Sequence, residues 1–145
     1  MRNFKNVAII CLCLFTLTNL NANDKEEIKT LINEAYVNAI HNFGDLDKAR
    51  YGFMPEFAMF IQRGDMIDVI KLEDWLQRIE TSRENNPSVP DAKAAAEFLQ
   101  IFVVEDSAMV ILELYRGEQK MFTDYFNLYK VNGEWKIIAK TFYRH

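Results

Sequence analysis

The sequence predicts an α+β protein in which helices pack against one side of a curved antiparallel sheet. In the N-terminal half, apolar residues recur every three to four positions, as they do in amphipathic helices. In the C-terminal half, four long runs are rich in β-branched and aromatic residues. Asn132-Gly133 separates the last two runs, and this dipeptide favours a two-residue hairpin turn.

The N-terminal segment is predicted to be a secretory signal peptide. Arg2 and Lys5 precede a short apolar run over residues 7–17, and Leu20-Asn21-Ala22 offers a cleavage site. We therefore divide the chain into a signal peptide, 1–22, and one domain, 23–145, exported to the periplasm or the extracellular space. Retention of the segment as an uncleaved anchor stays open as the alternative.

Composition excludes several classes of function for the processed domain. Both cysteines, Cys11 and Cys13, lie in the predicted signal peptide, which leaves no thiol for a disulfide or a cysteine metal site. The segment carries two positive charges and no negative ones, so its removal lowers the formal charge from −4 to about −6. An acidic domain is a poor binder of nucleic acid or anionic lipid. No later stretch is long and apolar enough to cross a membrane.

Three helices are predicted. The first begins at Asn23-Asp24 and ends at Gly44, with an apolar stripe at Ile28, Leu31, Ile32, Ala35, Ala39, Ile40 and Phe43. Asp47 is expected to cap a short second helix that Gly52 and Pro55 break. The third helix carries Leu72, Trp75, Leu76 and Ile79 on one face, and a polar loop follows over 82–91.

The strands are predicted at Phe57–Arg63, Met66–Ile70, Phe98–Glu105 and Ala108–Arg116, with a final hairpin over Met121–Arg144. In the final hairpin Val131 opposes Glu134, and the register pairs Asp124 with Thr141 and Phe122 with Tyr143. This places Asp124 on an otherwise apolar face, which indicates a pocket. Its alternative role is structural, as the partner of a buried hydroxyl of Thr141 or Tyr143.

The opposite face of the sheet is more apolar than a face that meets only water. It carries Phe102, Val104, Met109, Ile111, Ile138 and Phe142. We therefore expect a homodimer that forms through this outer sheet face.

The run 36–40 followed by Gly44-Asp45-Leu46-Asp47 resembles ketosteroid isomerase and its relatives in the nuclear transport factor 2-like superfamily. The ending, from 122–125 through 131–137, is similar to the sub-family described as "putative lumazine-binding". The resemblance spans nearly the whole processed chain, although each motif is short. It implies a cystatin-like roll, a cone of curved antiparallel sheet packed on three N-terminal helices with a pocket inside, and pairing through the outer face.

The resemblance carries over two residues of the isomerase site. Tyr36 falls at the tyrosine of the oxyanion hole, and Asp124 falls at its partner acid, which that enzyme keeps protonated so that it donates a hydrogen bond to the oxyanion. The general base falls on Ile61, which cannot accept a proton. The resemblance therefore implies the fold and the pocket, and the departure at Ile61 argues against the reaction.

The expected ligand is small and apolar or aromatic. The candidate ligand-binding residues are Tyr36, Asp124, Met59, Trp75, Phe57, Phe126 and Tyr143. We expect no catalytic residue, no cofactor and no metal, since His41 is predicted to be exposed and His145 is terminal. The leading hypothesis is an exported binding protein without catalysis. The alternatives are an enzyme that stabilises an enolate through Tyr36 and Asp124, and a structural or interaction domain without a ligand.

Overall fold

The computed structural model describes residues 22–145, so the predicted signal peptide lies outside the described residues except for Ala22. The elements in chain order are α1 (22–41), α2 (Leu46–Gly52), β1 (Phe53–Arg63), β2 (Met66–Lys71), α3 (Leu72–Asn85), β3 (Ala94–Val104), β4 (Ser107–Arg116), β5 (Gln119–Val131) and β6 (Glu134–Arg144). No helix in this part of the chain is long and apolar enough to span a bilayer.

The first helix changes character halfway along its length. It is α-helical over 22–32 and π-helical over Asn33–His41, where the wider turn places five of nine residues in the core. Asp24 fixes its beginning, since its carboxylate accepts hydrogen bonds from Lys130 Nζ at 2.7 Å and Trp135 Nε1 at 3.0 Å. The helix is thereby attached to the final hairpin.

The two other helices differ from prediction at their ends. Asp45, and not Asp47, caps α2, because its side chain accepts from the Asp47 backbone N–H at 2.9 Å. Gly52 ends α2 where a Cβ would lie 2.4 Å from Ala35 Cβ, so glycine permits α1 and α2 to pack closely. Helix α3 continues through Asn85, which moves Ser82 and Arg83 from the predicted loop into its last turns.

The predicted α+β class is confirmed. Six strands form one curved, unclosed sheet in the order β2-β1-β6-β5-β4-β3. Every neighbouring pair is antiparallel except β1 and β6, which run parallel. Between β1 and β6 the chain passes through β2, α3 and the strands β3 to β5. It then returns to the centre of the sheet, where β6 lies beside β1 in the same direction.

The final hairpin follows the predicted register only near its turn. Val131 opposes Glu134 and Leu128 opposes Ile137, with Asn132 and Gly133 at φ values of 53° and 82°. A β-bulge at residue 138 then shifts the pairing, so that Asp124 opposes Phe142 and not Thr141.

A shift by one residue reverses the faces of a strand. Lys140 and Phe142 consequently turn towards the helices, whereas Tyr143 is 64% exposed. The prediction that Thr141 and Tyr143 share the apolar face with Asp124 is therefore wrong.

The β3–β4 hairpin turns one residue earlier than predicted, at Glu105-Asp106, and Phe102 opposes Met109 instead of Ile111. The shift is by two positions in the pairing, so the faces stay as predicted from Gln100 onwards. The irregularity between Phe98 and Gln100 reverses the alternation before it, so Leu99, expected on the apolar face, is exposed. The outer face exposes apolar side chains that include Leu99, Phe102, Val104, Met109, Tyr125 and Tyr129. Phe142 leaves this predicted outer set, because the bulge places it on the inner face.

Candidate functional site

A cavity of about 440 Å³ lies between the inner face of the sheet and helices α1 and α3. Its apolar wall includes Ile40, Met59, Ile61, Trp75, Phe122 and Phe142. The volume falls within the ~300–1,000 Å³ that small-molecule sites occupy. The cavity therefore has the size and the lining of a ligand site.

A buried polar cluster forms one end of the cavity. The Tyr36 hydroxyl donates to Asp124 Oδ2 at 2.7 Å, and Lys140 Nζ donates to the Tyr36 hydroxyl oxygen at 2.9 Å. Lys140 Nζ also lies 2.8 Å from Asp124 Oδ1, close enough for an ion pair although not aligned for a hydrogen bond. Tyr36 and Asp124 are wholly buried and Lys140 is 4% exposed, so the three residues are paired with one another away from water.

The pKa values of Tyr36 and Lys140 shift in opposite directions. Burial, reinforced by Asp124, raises the pKa of Tyr36 well above its usual value of 10.0. Burial lowers the pKa of Lys140 below 10.5, while Asp124 opposes that shift. Tyr36 consequently keeps its proton and donates it in a hydrogen bond to Asp124, so it is not available as a base.

Aromatic rings surround the Lys140 ammonium. Its Nζ lies 4.6 Å from the centroid of Tyr36 and 4.7 Å from that of Phe142, within reach of cation–π attraction. Trp75 lies further out, with its ring stacked on Phe57 at 5.9 Å. These rings hold the cation in place and give the cavity flat apolar surfaces.

His41 is half-buried beside this cluster, which contradicts its predicted exposure. Its ring packs edge-on against Tyr36 at 4.7 Å and lies 6.0 Å from Phe122. Burial, followed by the charges of Lys140 and Arg116, lowers the pKa of His41 from 6.5 to about 3. His41 is therefore neutral near pH 7, and its Nε2 has no hydrogen-bond partner among the described residues.

The predicted site residues fall into three groups. Tyr36, Met59 and Trp75 line the cavity. Asp124, Phe57 and Phe126 are wholly buried behind it, where Asp124 holds Tyr36 and Lys140, Phe57 supports Trp75, and Phe126 packs edge-on against Tyr36 at 5.1 Å. Tyr143 lies on the opposite face of the sheet and makes no part of the cavity.

Sequence reasoning missed Lys140, His41 and the arginines at the cavity. The predicted register puts Lys140 on the outer face with Ile138 and Phe142, because nothing in the sequence marks the bulge at residue 138. His41 was misplaced because a π-helix rotates side chains away from the positions that a 3.6-residue period predicts.

The described residues offer neither a metal site nor a second cavity that contains the buried cluster. Within residues 22–145 no three histidine, cysteine, aspartate or glutamate side chains are grouped to hold a metal ion. A groove of about 760 Å³ runs along the outside of α1 and α2 and is lined by Glu26, Glu27, Glu34, Asp45 and Asp47 among others. It lies against the start of the described chain and does not reach the buried cluster.

Solved structures share this fold. The chain has a TM-score of 0.68 with a nuclear transport factor 2-like protein from Shewanella baltica, at 20% identity over 86% of this chain and 95% of that one. For a similar protein from Silicibacter pomeroyi the TM-score is 0.70 at 16% identity, covering 86% and 98% of the two chains. One from Methylobacillus flagellatus gives 0.64 at 24% identity, covering 85% and 93%. All three are described as proteins of unknown function, so these likenesses show the fold alone. No curated protein matches the chain.

The fold and the cavity thus define a nuclear transport factor 2-like protein. The model of the family described as "putative lumazine-binding" matches residues 23–143, and the chain belongs to that family. The family sequence resemblance and the structural likeness agree.

Proposed function

We propose that this protein is an exported, non-catalytic binding protein for a small, largely apolar or aromatic molecule. The observation that carries the proposal is the cavity of about 440 Å³, with aromatic walls and a buried polar cluster at one end. A ligand site of this kind combines apolar walls with a few fixed polar groups. Membership of the family fits this, because the family's description names lumazine, a planar heteroaromatic molecule.

The polar cluster suggests how one polar group of the ligand is held. Lys140 lines the cavity and donates one of its three N–H groups to Tyr36, which leaves donor capacity for a carbonyl or similar acceptor. Asp124 lies behind Tyr36 and Lys140 and orients both. In this proposal Tyr36 and Lys140 touch the ligand, and Asp124 positions them.

Three lining residues at or beside the expected catalytic positions are unsuited to act as a general base, which supports a non-catalytic role. Ile61, at the general-base position of the isomerase pattern, does line the cavity. His41 has a pKa of about 3, and the pKa of Tyr36 is raised, so neither suits proton abstraction near pH 7.

The enzyme alternative loses its main feature in this geometry. In the isomerase pattern the tyrosine and the acid both donate to the developing oxyanion. Here the Tyr36 hydroxyl donates its one proton to Asp124. The pair therefore has no free donor for an enolate, so the arrangement that defines the isomerase oxyanion hole is absent from these two residues.

A fluorescent apolar probe tests the proposal. N-phenyl-1-naphthylamine should bind with increased emission, and Ile61→Trp should abolish binding by filling the cavity. The matched control is Ile67→Trp, because Ile67 is 58% exposed on β2 and does not line the cavity. Equal binding by both variants would show that the probe sits elsewhere, and would count against the cavity as the site.

A further inference from the structure

The charged side chains that line the cavity are all basic. They are Arg63, Arg78, Arg83, Arg144 and Lys140, and no aspartate or glutamate is among the described lining residues. The chain as a whole carries a formal charge of −4, so this concentration of positive charge runs against its overall balance. A cleft with one sign of charge and apolar walls concentrates ligands of the opposite sign.

Three of these cations have no carboxylate partner. Asp124 balances Lys140, and Asp68 pairs with Arg63. Arg78, Arg83 and Arg144 make no ion pair with any residue in the described range 22–145. The unbalanced charge at the cavity therefore comes from these three arginines.

Arg83 is held in place without being neutralised. Its guanidinium donates to backbone carbonyls at the end of α1, including those of Gly44 at 2.9 Å and Ile40 at 3.2 Å. It also lies 4.9 Å from the centre of the Phe43 ring. The carbonyl end of a helix attracts a cation but supplies only a partial charge. Arg83 is thus a fixed, partly buried positive group at the cavity.

The basic side chains differ in exposure and therefore lie at different depths in the cavity. Arg63, Arg78 and Arg144 are exposed and surround the mouth, whereas Lys140 and Tyr36 are buried at the floor. Arg144 lies over the Phe122 ring at 5.3 Å, which joins the mouth to the apolar wall. A ligand with an apolar body and a charged end would therefore enter body first.

We propose that the cavity selects molecules that carry an anionic group, such as a carboxylate, a sulfonate or a phosphate, on an aromatic or apolar body. Arg78 and Arg144 hold the anionic group at the mouth, Arg83 adds a fixed positive charge behind them, and the body lies against Tyr36 and Trp75. Guanidinium groups bind such oxyanions through paired N–H donors. This inference rests on the proposed function, because it names the ligand class of the same cavity.

Two probes that differ by one sulfonate test the inference. N-phenyl-1-naphthylamine is neutral, and 8-anilinonaphthalene-1-sulfonate adds the anionic group to the same skeleton. For each probe, binding at the cavity is the part of the fluorescence that Ile61→Trp abolishes. We expect the sulfonate to bind about tenfold more tightly or better, and the preference to shrink as salt screens the exposed arginines.

Paired charge removal assigns the preference to the arginines. The double variant R78Q/R144Q should lower the ratio of the two affinities about tenfold. The matched control K25Q/K93Q removes the same charge at two exposed lysines outside the cavity and should leave the ratio unchanged. Unaltered far-ultraviolet circular dichroism verifies that each variant is folded.

The outcomes separate the two proposals. Equal affinities for the two probes would overturn the anion preference while the proposed binding function stands. A preference that R78Q/R144Q leaves intact, or that K25Q/K93Q lowers equally, would overturn the assignment to these arginines. If neither probe binds in the cavity, the proposed function itself fails.

Discussion

Removal of one charge from the buried pair Asp124–Lys140 should be far more damaging than removal of both. Lys140→Met leaves the wholly buried Asp124 carboxylate with Tyr36 as its one hydrogen-bond donor. Loss of one member of a buried ion pair typically costs about 3–5 kcal/mol, a large share of the ~5–15 kcal/mol that stabilises a domain. We therefore expect a marginally stable variant.

The double variant Asp124→Leu/Lys140→Met removes both charges and leaves no cavity in their place. Replacement of a buried pair by apolar side chains is often neutral or stabilising. The remaining penalty is the unpaired Tyr36 hydroxyl, about 1–3 kcal/mol, and Tyr36→Phe should recover most of it. The triple variant should accordingly be at least as stable as the double variant.

Urea unfolding followed by the fluorescence of Trp75 and Trp135 measures these differences at a fixed protein concentration. With an m-value of about 1.5 kcal/mol/M, the single variant should lose roughly 2–3 M in its midpoint. A double-mutant cycle gives the coupling between the two residues. Additive costs, with the double variant less stable than Lys140→Met, would refute the buried pair.

Four further results are expected. His41→Gln should make the protein less sensitive to acid. The pKa of His41 falls from 6.5 to about 3 on folding, so the stability of the wild type declines relative to that of the variant as pH drops through that window. Parallel curves of stability against pH for the two proteins would contradict this. We propose a homodimer that forms through the outer sheet face, so Ile111→Lys should give a monomer by light scattering. The control Val89→Lys, at an exposed loop position, should leave the dimer intact. A wild-type protein that is monomeric at high micromolar concentration would contradict the dimer. With Ile61 at the base position, Δ5-3-ketosteroid isomerisation should be absent or a trace, since general base catalysis supplies ~10²–10⁴-fold; robust turnover would reveal another base. N-terminal sequencing of the exported protein should begin near Asn23, and a chain that keeps both cysteines would refute cleavage.

Local signals predicted most of the fold. The Asn132-Gly133 turn and the alternation along β5 place Phe126 and Leu128 inside, because a two-residue turn fixes the register of the strands beside it. Asp124 was found for the same reason, as a charged residue at an inward position of that alternation. These features depend on residues that are neighbours in the chain, so they can be predicted from the sequence.

The parts that were missed depend on irregular backbone or on distant contacts. The bulge at residue 138 involves no glycine or proline, yet it decides that Lys140 lies inside and Tyr143 outside. The π-helix moves His41 to the cavity without any change in residue type. Arg83 reaches the cavity by way of carbonyls 39 to 44 residues away in the chain, which no local pattern encodes.

Native mass spectrometry of the protein purified from its own host tests the central claim most directly. If the cavity holds a small molecule, the wild-type protein should carry an extra mass that organic solvent releases. The cavity-filling variant Ile61→Trp, prepared in parallel, should carry none, while Ile67→Trp should retain the molecule. An identical extra mass on Ile61→Trp, or a wild-type protein at the mass of its bare chain that also fails to bind N-phenyl-1-naphthylamine, would contradict a ligand-binding cavity.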